Sequence, residues 1–206
     1  MKRIGIIGAG HIGATAARLF LKAGHSVALS NSRGPASLSG LTEELGPEAH
    51  AMTVEDAARF GEIVLLAVPW RTPEALPPAA AVAGKIVIDA MNPYTATGGL
   101  YELADSTSSE ETLKRLPGAR LVKAFNTIYY RHLAECGDAG LPLERRHVIF
   151  LAGDDSEAKL VVAQLIEDIG FAPVDTGSLR EGGRKQQPGS PIYNNPMTAA
   201  AAAIIL

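Results

Sequence analysis

The stretch RIGIIGAGHIG, residues 3–13, leaves few folds open to this chain. Gly8, Gly10 and Gly13 stand in G-x-G-x-x-G spacing, directly after a β-branched run and at the head of an amphipathic segment. Gly8 permits a tight turn, Gly10 removes the Cβ that would block a pyrophosphate, and Gly13 lets the following helix pack close against the strand. The helix N-terminus then offers unpaired N–H groups and partial positive charge to phosphates. Strand, glycine turn and helix in this order predict a dinucleotide site. His11, inside the loop, has two readings: a neighbour of the phosphates or an exposed spectator.

The strand–helix alternation continues. The pattern predicts a helix over about 12–23, a strand at SVALS and a helix over about 35–45. HAMT reads as a weak third strand, EIVLLAV and KIVIDA as strong ones, with helices over 54–60 and about 72–83 between them. RLVKAF, RHVIFLAG and a helix over about 156–169 follow. Near-continuous apolar strands suit a sheet covered on both faces. The expected fold is therefore α/β: a doubly wound, mostly parallel sheet of Rossmann type with a small C-terminal helical and loop extension. We divide the chain into a dinucleotide-binding domain, residues 1–176, and a lid or dimerisation segment, residues 177–206. Residues 180–196, rich in Gly, Pro and amide side chains, read as a functional loop or lid, or as a tail. The apolar end, TAAAAAIIL, is too short to cross a bilayer and reads as a helix buried in the protein or in a subunit interface.

Composition narrows the partners. The 206 residues carry 19 Lys and Arg against 22 Asp and Glu, a net charge of −3, with no basic run that would mark a nucleic-acid or anionic-lipid footprint. Neither nucleic acid nor membrane is expected. The single cysteine, Cys136, cannot close an intramolecular disulfide, which favours a reduced cytoplasm. No Ser/His/Asp set is apparent, and the His and Cys spacing suggests no metal site. His25, His50 and His147 read as structural; His132 is undecided.

The end of the second strand selects the cofactor. An NAD site would place Asp or Glu there to accept from the ribose 2′-hydroxyl, but this strand runs into Ser30, Asn31, Ser32 and Arg33. Arg33 can form charge-assisted bonds to a 2′-phosphate, Ser32 can donate a hydroxyl, and Ser37 can add another. The expected cofactor is NADP(H). Ligands of open α/β sheets sit at the carboxyl ends of the strands. Those ends are AVPW (67–70), DAMNPY (89–94) and KAFNT (123–127). Asn92 falls near the expected nicotinamide; Asn126 and Thr127 offer amide and hydroxyl groups, with Ile128 as an apolar neighbour. Trp70 either walls a ring site or packs in the core.

Taken together, IGIIGAGHIG, SNSRGPASL, LLAVPW, DAMNPY, VKAFNTIYYRHL, LAGDDSEAKLVVAQLIEDIGFAPVDTGSL and QQPGSPIYN resemble the coenzyme F420-dependent NADP oxidoreductases over nearly the whole chain. The resemblance implies that Gly8, Ala9, Gly10, His11 and Ile12 line the pyrophosphate, Ser32 and Arg33 the 2′-phosphate, and Ala67, Val68 and Pro69 the nicotinamide side. It implies that Asn126, Thr127 and Ile128 approach a deazaflavin ring, with Gly177 and Leu179 near it and the C-terminal region closing over. The chain departs from the family in carrying Asn126 where F420 reductases carry His, and in its short tail. Hydride transfer between stacked rings needs proximity and orientation more than a strong acid or base. F420 or FMN as the ring acceptor, a flavin/ferric or small carbonyl or imine reductase, and a non-catalytic NADP(H) sensor are the readings carried forward. A homodimer is expected.

Overall fold

The computed structural model describes residues 1–205. Its first half is built from β1 (Arg3–Ile7), α1 (His11–Lys22), β2 (Ser26–Ser30), α2 (Ser39–Leu45), β3 (Ala49–Ala51), α3 (Val54–Phe60) and β4 (Ile63–Leu66). Then come α4 (Ala79–Val82), β5 (Ile86–Asp89), α5 (Ser108–Arg115), β6 (Arg120–Ala124) and α6 (Tyr130–Glu135). The chain closes with β7 (Val148–Gly153), α7 (Ser156–Asp168), β8 (Ala172–Asp175), α8 (Glu181–Lys185) and α9 (Ala199–Ile205). All eight strands join one sheet in the order β3-β2-β1-β4-β5-β6-β7-β8. Every pairing is parallel except β6 with β7. The expected doubly wound, mostly parallel sheet is present.

Strand alternation builds two cores. Ile4, Ile6, Val27, Leu29, Leu65 and Ile88 face one side with Phe20 of α1 and Val162 and Leu165 of α7. Ile7, Ala28, Val64, Leu66 and Val87 face the other with Ala57 and Ala58 of α3. Period-2 patterning thus serves both layers at once, which is why these strands carry almost no polar residue. A third, smaller cluster of Val148, Phe150, Ala172, Ile192, Met197 and Ala202 seats the C-terminal stretch on β7 and β8.

Three features depart from the expectations. The helix over 72–83 is absent as such: a short 3₁₀ turn at Pro73–Ala75 ends at Leu76, and only Ala79–Val82 is helical. Pro77 and Pro78 remove two donors and push the preceding residues into extended backbone. The sequence pattern also missed α5, whose capping box is complete: Thr107 Oγ1 accepts from Glu110 N, and Glu110 returns the bond to Thr107 N. Finally, β7 runs antiparallel to β6, so β7 and β8 deliver their carboxyl ends to the opposite edge from the other strands. Among the described residues no helix is long and apolar enough to cross a membrane.

Candidate functional site

The strand order reverses direction of travel between β1 and β4, and the crevice outside their carboxyl ends is where open α/β sheets take ligands. Gly8, with φ +107°, turns the chain out of β1. An added Cβ there would lie 2.4 Å from the Ala67 carbonyl oxygen, so the turn is pressed against the end of β4. A Cβ on Gly13 would lie 1.9 Å from the Gly8 carbonyl oxygen, which is how closely α1 sits on the loop. A Cβ on Gly10 would meet nothing within 4 Å. Gly10 caps α1 without any side-chain bond, leaving the first N–H groups of the helix to solvent or a ligand.

A hollow of about 540 Å³ opens at this crevice, lined by Gly8, Gly10, Asn31, Ser32 and the segment Ala67, Val68 and Pro69. Val54, Thr72, Glu74 and Ala75 complete its far wall, residues that motif reading passed over because they lie in no motif. The loop after β2 is held by its own side chains. Asn31 Oδ1 accepts from Arg33 N at 3.0 Å, Asn31 Nδ2 donates to Ser37 Oγ at 2.9 Å, and Ser37 Oγ donates to Gly34 O at 2.7 Å. Ser37 is therefore a staple of the loop, with its hydroxyl already engaged. Ser32 and Arg33 are exposed, and Arg33 forms no ion pair among the described residues.

A second hollow, about 400 Å³, shares Gly10 with the first and is lined by Ala9, His11, Arg18 and Tyr130. His11 is exposed and stacks on Tyr130, ring centroids 4.2 Å apart at 15°. These two rings also border a third hollow of about 170 Å³ that contains Ile12, Asn92, Asn126, Ile128 and Tyr193. The three hollows adjoin in series from Ser32 to Asn126, the first two sharing Gly10 and the last two sharing His11 and Tyr130.

Phe125 bends the chain at the end of this series. Its φ of +66° is a left-handed conformation for a bulky residue, a strain of about 1–3 kcal/mol that the packing of its buried ring against Phe20 holds in place. Asn126, 4% exposed, then points its amide at two acceptors, Asn92 Oδ1 at 3.1 Å and Gln186 O at 2.7 Å. Asn92 Nδ2 donates to Asn126 O at 2.9 Å and reaches Tyr193 Oη at 3.4 Å. Both donors of Asn126 are consumed, and its buried Oδ1 has no protein partner. Thr127 is turned to the other side, toward Phe150 and Ile192, while its carbonyl accepts from Asn194 N at 2.8 Å.

Gly177 and Leu179 lie away from this hollow. The reversed direction of β7 and β8 carries them back along the sheet, where Gly177 O accepts from Gly153 N and Leu179 packs, 1% exposed, beside Leu121. The C-terminal segment reaches the hollow through Gln186 and Tyr193 instead. Trp70 is core: it is 8% exposed and its Nε1 donates to Ser108 O at 3.0 Å and toward Thr112 Oγ1 at 3.2 Å.

One buried polar group had a sequence signal that motif reading overlooked. Asp89 is the one charge of β5, Lys123 sits in the buried part of β6 beyond Arg120, and the two are register partners. Both are 0% exposed. Asp89 accepts from Met91 N at 2.9 Å and from Ser109 Oγ at 2.7 Å; Lys123 Nζ donates to Ser109 Oγ at 3.1 Å, Ser108 Oγ at 3.2 Å and Met91 O at 3.3 Å. Burial pushes the Lys123 amine below its ordinary value, and the Asp89 charge opposes that shift. The network grips both sides of Met91 and thereby the turn that presents Asn92.

Residues 3–93 match the family described as NADP oxidoreductase, coenzyme F420-dependent. A hypothetical protein from Sinorhizobium meliloti is 38% identical, with 96% of each chain aligned and a TM-score of 0.84. The match to the coenzyme F420-dependent NADP oxidoreductase family thus covers β1 through the turn after β5. Another solved structure, of a protein from Arthrobacter sp. FB24 assigned as an F420-dependent NADP reductase, is 27% identical over 87% of this chain and 86% of that one, TM-score 0.73. Metalloreductase STEAP3 of Rattus norvegicus is 32% identical over 86% of this chain. The chain spans about a third of that curated relative, 34% of its length.

Proposed function

We propose that this protein transfers a hydride between NADP(H) and a flat ring acceptor, with the deazaflavin coenzyme F420 the acceptor best supported. The observation that carries the reading is the series of three adjoining hollows from Ser32 to Asn126. A dinucleotide fits the residues present: Gly10 faces open space, α1 has an uncapped N-terminus, and Ser32 and Arg33 sit exposed where a 2′-phosphate would be read. When bound, NADPH supplies the hydride. The chain's own residues do the rest: the glycine loop binds the pyrophosphate, Ala67, Val68 and Pro69 bound the ribose–nicotinamide side, and Ile12 and Ile128 exclude water from the ring site. Asn126 walls the ring site, its amide fixed by Asn92 and Gln186. Proximity and a dry, oriented contact are the contributions such a transfer requires.

Likeness to a metalloreductase favours a second reading, a flavin acceptor that passes electrons to ferric iron. A second copy of the chain is the proposed partner, supported by Ile204 and Ile205 of α9, 87% and 47% exposed. Purified protein is mixed with NADPH and, separately, F420, FMN, or FMN with a ferric chelate, and nicotinamide absorbance is followed. Consumption with F420 is expected. Tight NADPH binding with no acceptor reduced would leave only the sensor reading.

A further inference from the structure

Tyr193 is the residue of the ring hollow that the proposed function leaves without a task. It sits in the stretch between α8 and α9, fixed on one side by buried Ile192 and on the other by the bond from Asn194 N to Thr127 O. Its hydroxyl oxygen receives two donors: Tyr94 Oη at 3.1 Å and, more weakly, Asn92 Nδ2 at 3.4 Å. A phenol oxygen that accepts twice has one remaining direction, occupied by its own hydrogen. Among the described residues that hydrogen has no protein acceptor, and Tyr193 lines the hollow beside Ile12, Asn126 and Ile128. Two donors onto the oxygen also polarise the O–H bond and make it a stronger donor.

We infer that Tyr193 is a catalytic hydrogen-bond donor that stabilises the negative charge a ring acceptor gains with the hydride. The inference rests on the proposed function and narrows its substrate class. When a C–H bond of the dihydronicotinamide breaks and a C–H bond to the acceptor carbon forms, the electron pair displaced within the acceptor must settle on a conjugated carbonyl oxygen or ring nitrogen. Tyr193 bonds that atom, and the proton that finally neutralises it comes from solvent. An acceptor lacking a heteroatom conjugated to the hydride-accepting carbon gains nothing from the phenol. Burial pushes the Tyr193 phenol above its ordinary value, so it stays protonated and keeps its donor role at neutral pH.

The test is Tyr193→Phe, which keeps the ring and deletes the donor, assayed in the full chain with NADPH and F420. Loss of one preorganised donor to developing charge predicts a kcat about 100-fold lower. NADPH affinity, measured by fluorescence, is expected within twofold of wild type, with KM for F420 changed much less than kcat. Tyr94→Phe, which leaves the Tyr193 hydroxyl in place and removes one polarising donor, is expected to lower kcat by roughly tenfold with NADPH affinity unchanged. That second variant carries the test if the first does not fold, and an unaltered kcat in it then overturns the inference. A wild-type protein that reduces no ring acceptor overturns the proposed function and this inference together. An active wild type with Tyr193→Phe within threefold of its kcat overturns this inference alone. Equal losses of NADPH affinity and kcat would assign Tyr193 a purely structural role.

Discussion

Gly10 and Gly13 stand three residues apart in one motif, yet alanine at each should fail in a different way. At Gly10 the backbone is extended, φ −79° and ψ −164°, and an added Cβ meets no atom within 4 Å. Alanine is a slightly poorer N-cap than glycine, and it also reduces the entropy of the unfolded chain; the two effects nearly cancel, within about 1 kcal/mol. The new methyl points instead into the hollow where the pyrophosphate is proposed to lie. NADPH affinity should therefore fall at least tenfold, about 1.4 kcal/mol, with the melting temperature almost unmoved. At Gly13 the new Cβ lies 1.9 Å from the Gly8 carbonyl oxygen, where ordinary contact begins at 3.4 Å, so α1 must retreat by about 1.5 Å. Overpacking of that kind costs about 1–3 kcal/mol, and the better helix former returns at most ~1 kcal/mol. The net loss should lower the melting temperature by roughly 2–8 °C in a chain of this size. Differential scanning fluorimetry and NADPH titration of both variants decide it. A Gly10→Ala protein that binds NADPH within twofold of wild type would refute the assignment of the loop to the phosphates.

Arg33→Ala should weaken NADPH by about 1–3 kcal/mol, as for a lost charged hydrogen bond, and leave NADH affinity unchanged; an unaltered NADPH/NADH ratio by titration would remove Arg33 from the site. Lys123→Met leaves Asp89 buried without its cation and should cost about 3–5 kcal/mol in chemical denaturation, with part of the loss recovered in the Lys123→Met/Asp89→Asn double variant. A loss below about 1 kcal/mol would show that Lys123 is buried uncharged. His25 is 6% exposed, its Nδ1 accepts from Lys2 N at 3.2 Å, and burial lowers its pKa against the opposing pull of Asp168. A depressed histidine stabilises fully above its unfolded value of about 6.5 and loses that contribution as pH falls through the folded value. His25→Gln should accordingly flatten the fall in melting temperature just below pH 6.5; an identical profile would place the acid sensitivity elsewhere. Sedimentation analysis of Ile204→Glu should shift a dimer toward monomer if α9 carries the proposed contact.

Short-range signals were legible. β1, α1, β2 and α3 follow from apolar periodicity and capping within a dozen residues, and α3 opens on Thr53, whose Oγ1 accepts from Asp56 N. The helix expected over 72–83 fails for a local reason: Pro77 and Pro78 stand in its middle turn and interrupt it. Gly177 and Leu179 fared differently. Nothing in PVDTGSL reports that its strand runs against β6, since direction is decided by which edge β7 finds, far along the chain.

By itself the sequence determined the layer architecture, the glycine loop, and the absence of a carboxylate at the end of β2. Each depends on neighbours within one turn or one strand, where sterics and capping act without help from the rest of the fold. Only the tertiary structure decided the ring hollow. Asn92 and Tyr193 are 101 residues apart, Asn126 and Gln186 60. Their hydrogen bonds exist because the C-terminal stretch packs across β7 and β8 and brings its polar groups to the end of β6. Loop closure over such distances is bought by apolar burial, here of Ile192, Met197 and Ala202, and burial of that kind leaves no local pattern around the polar residues it places.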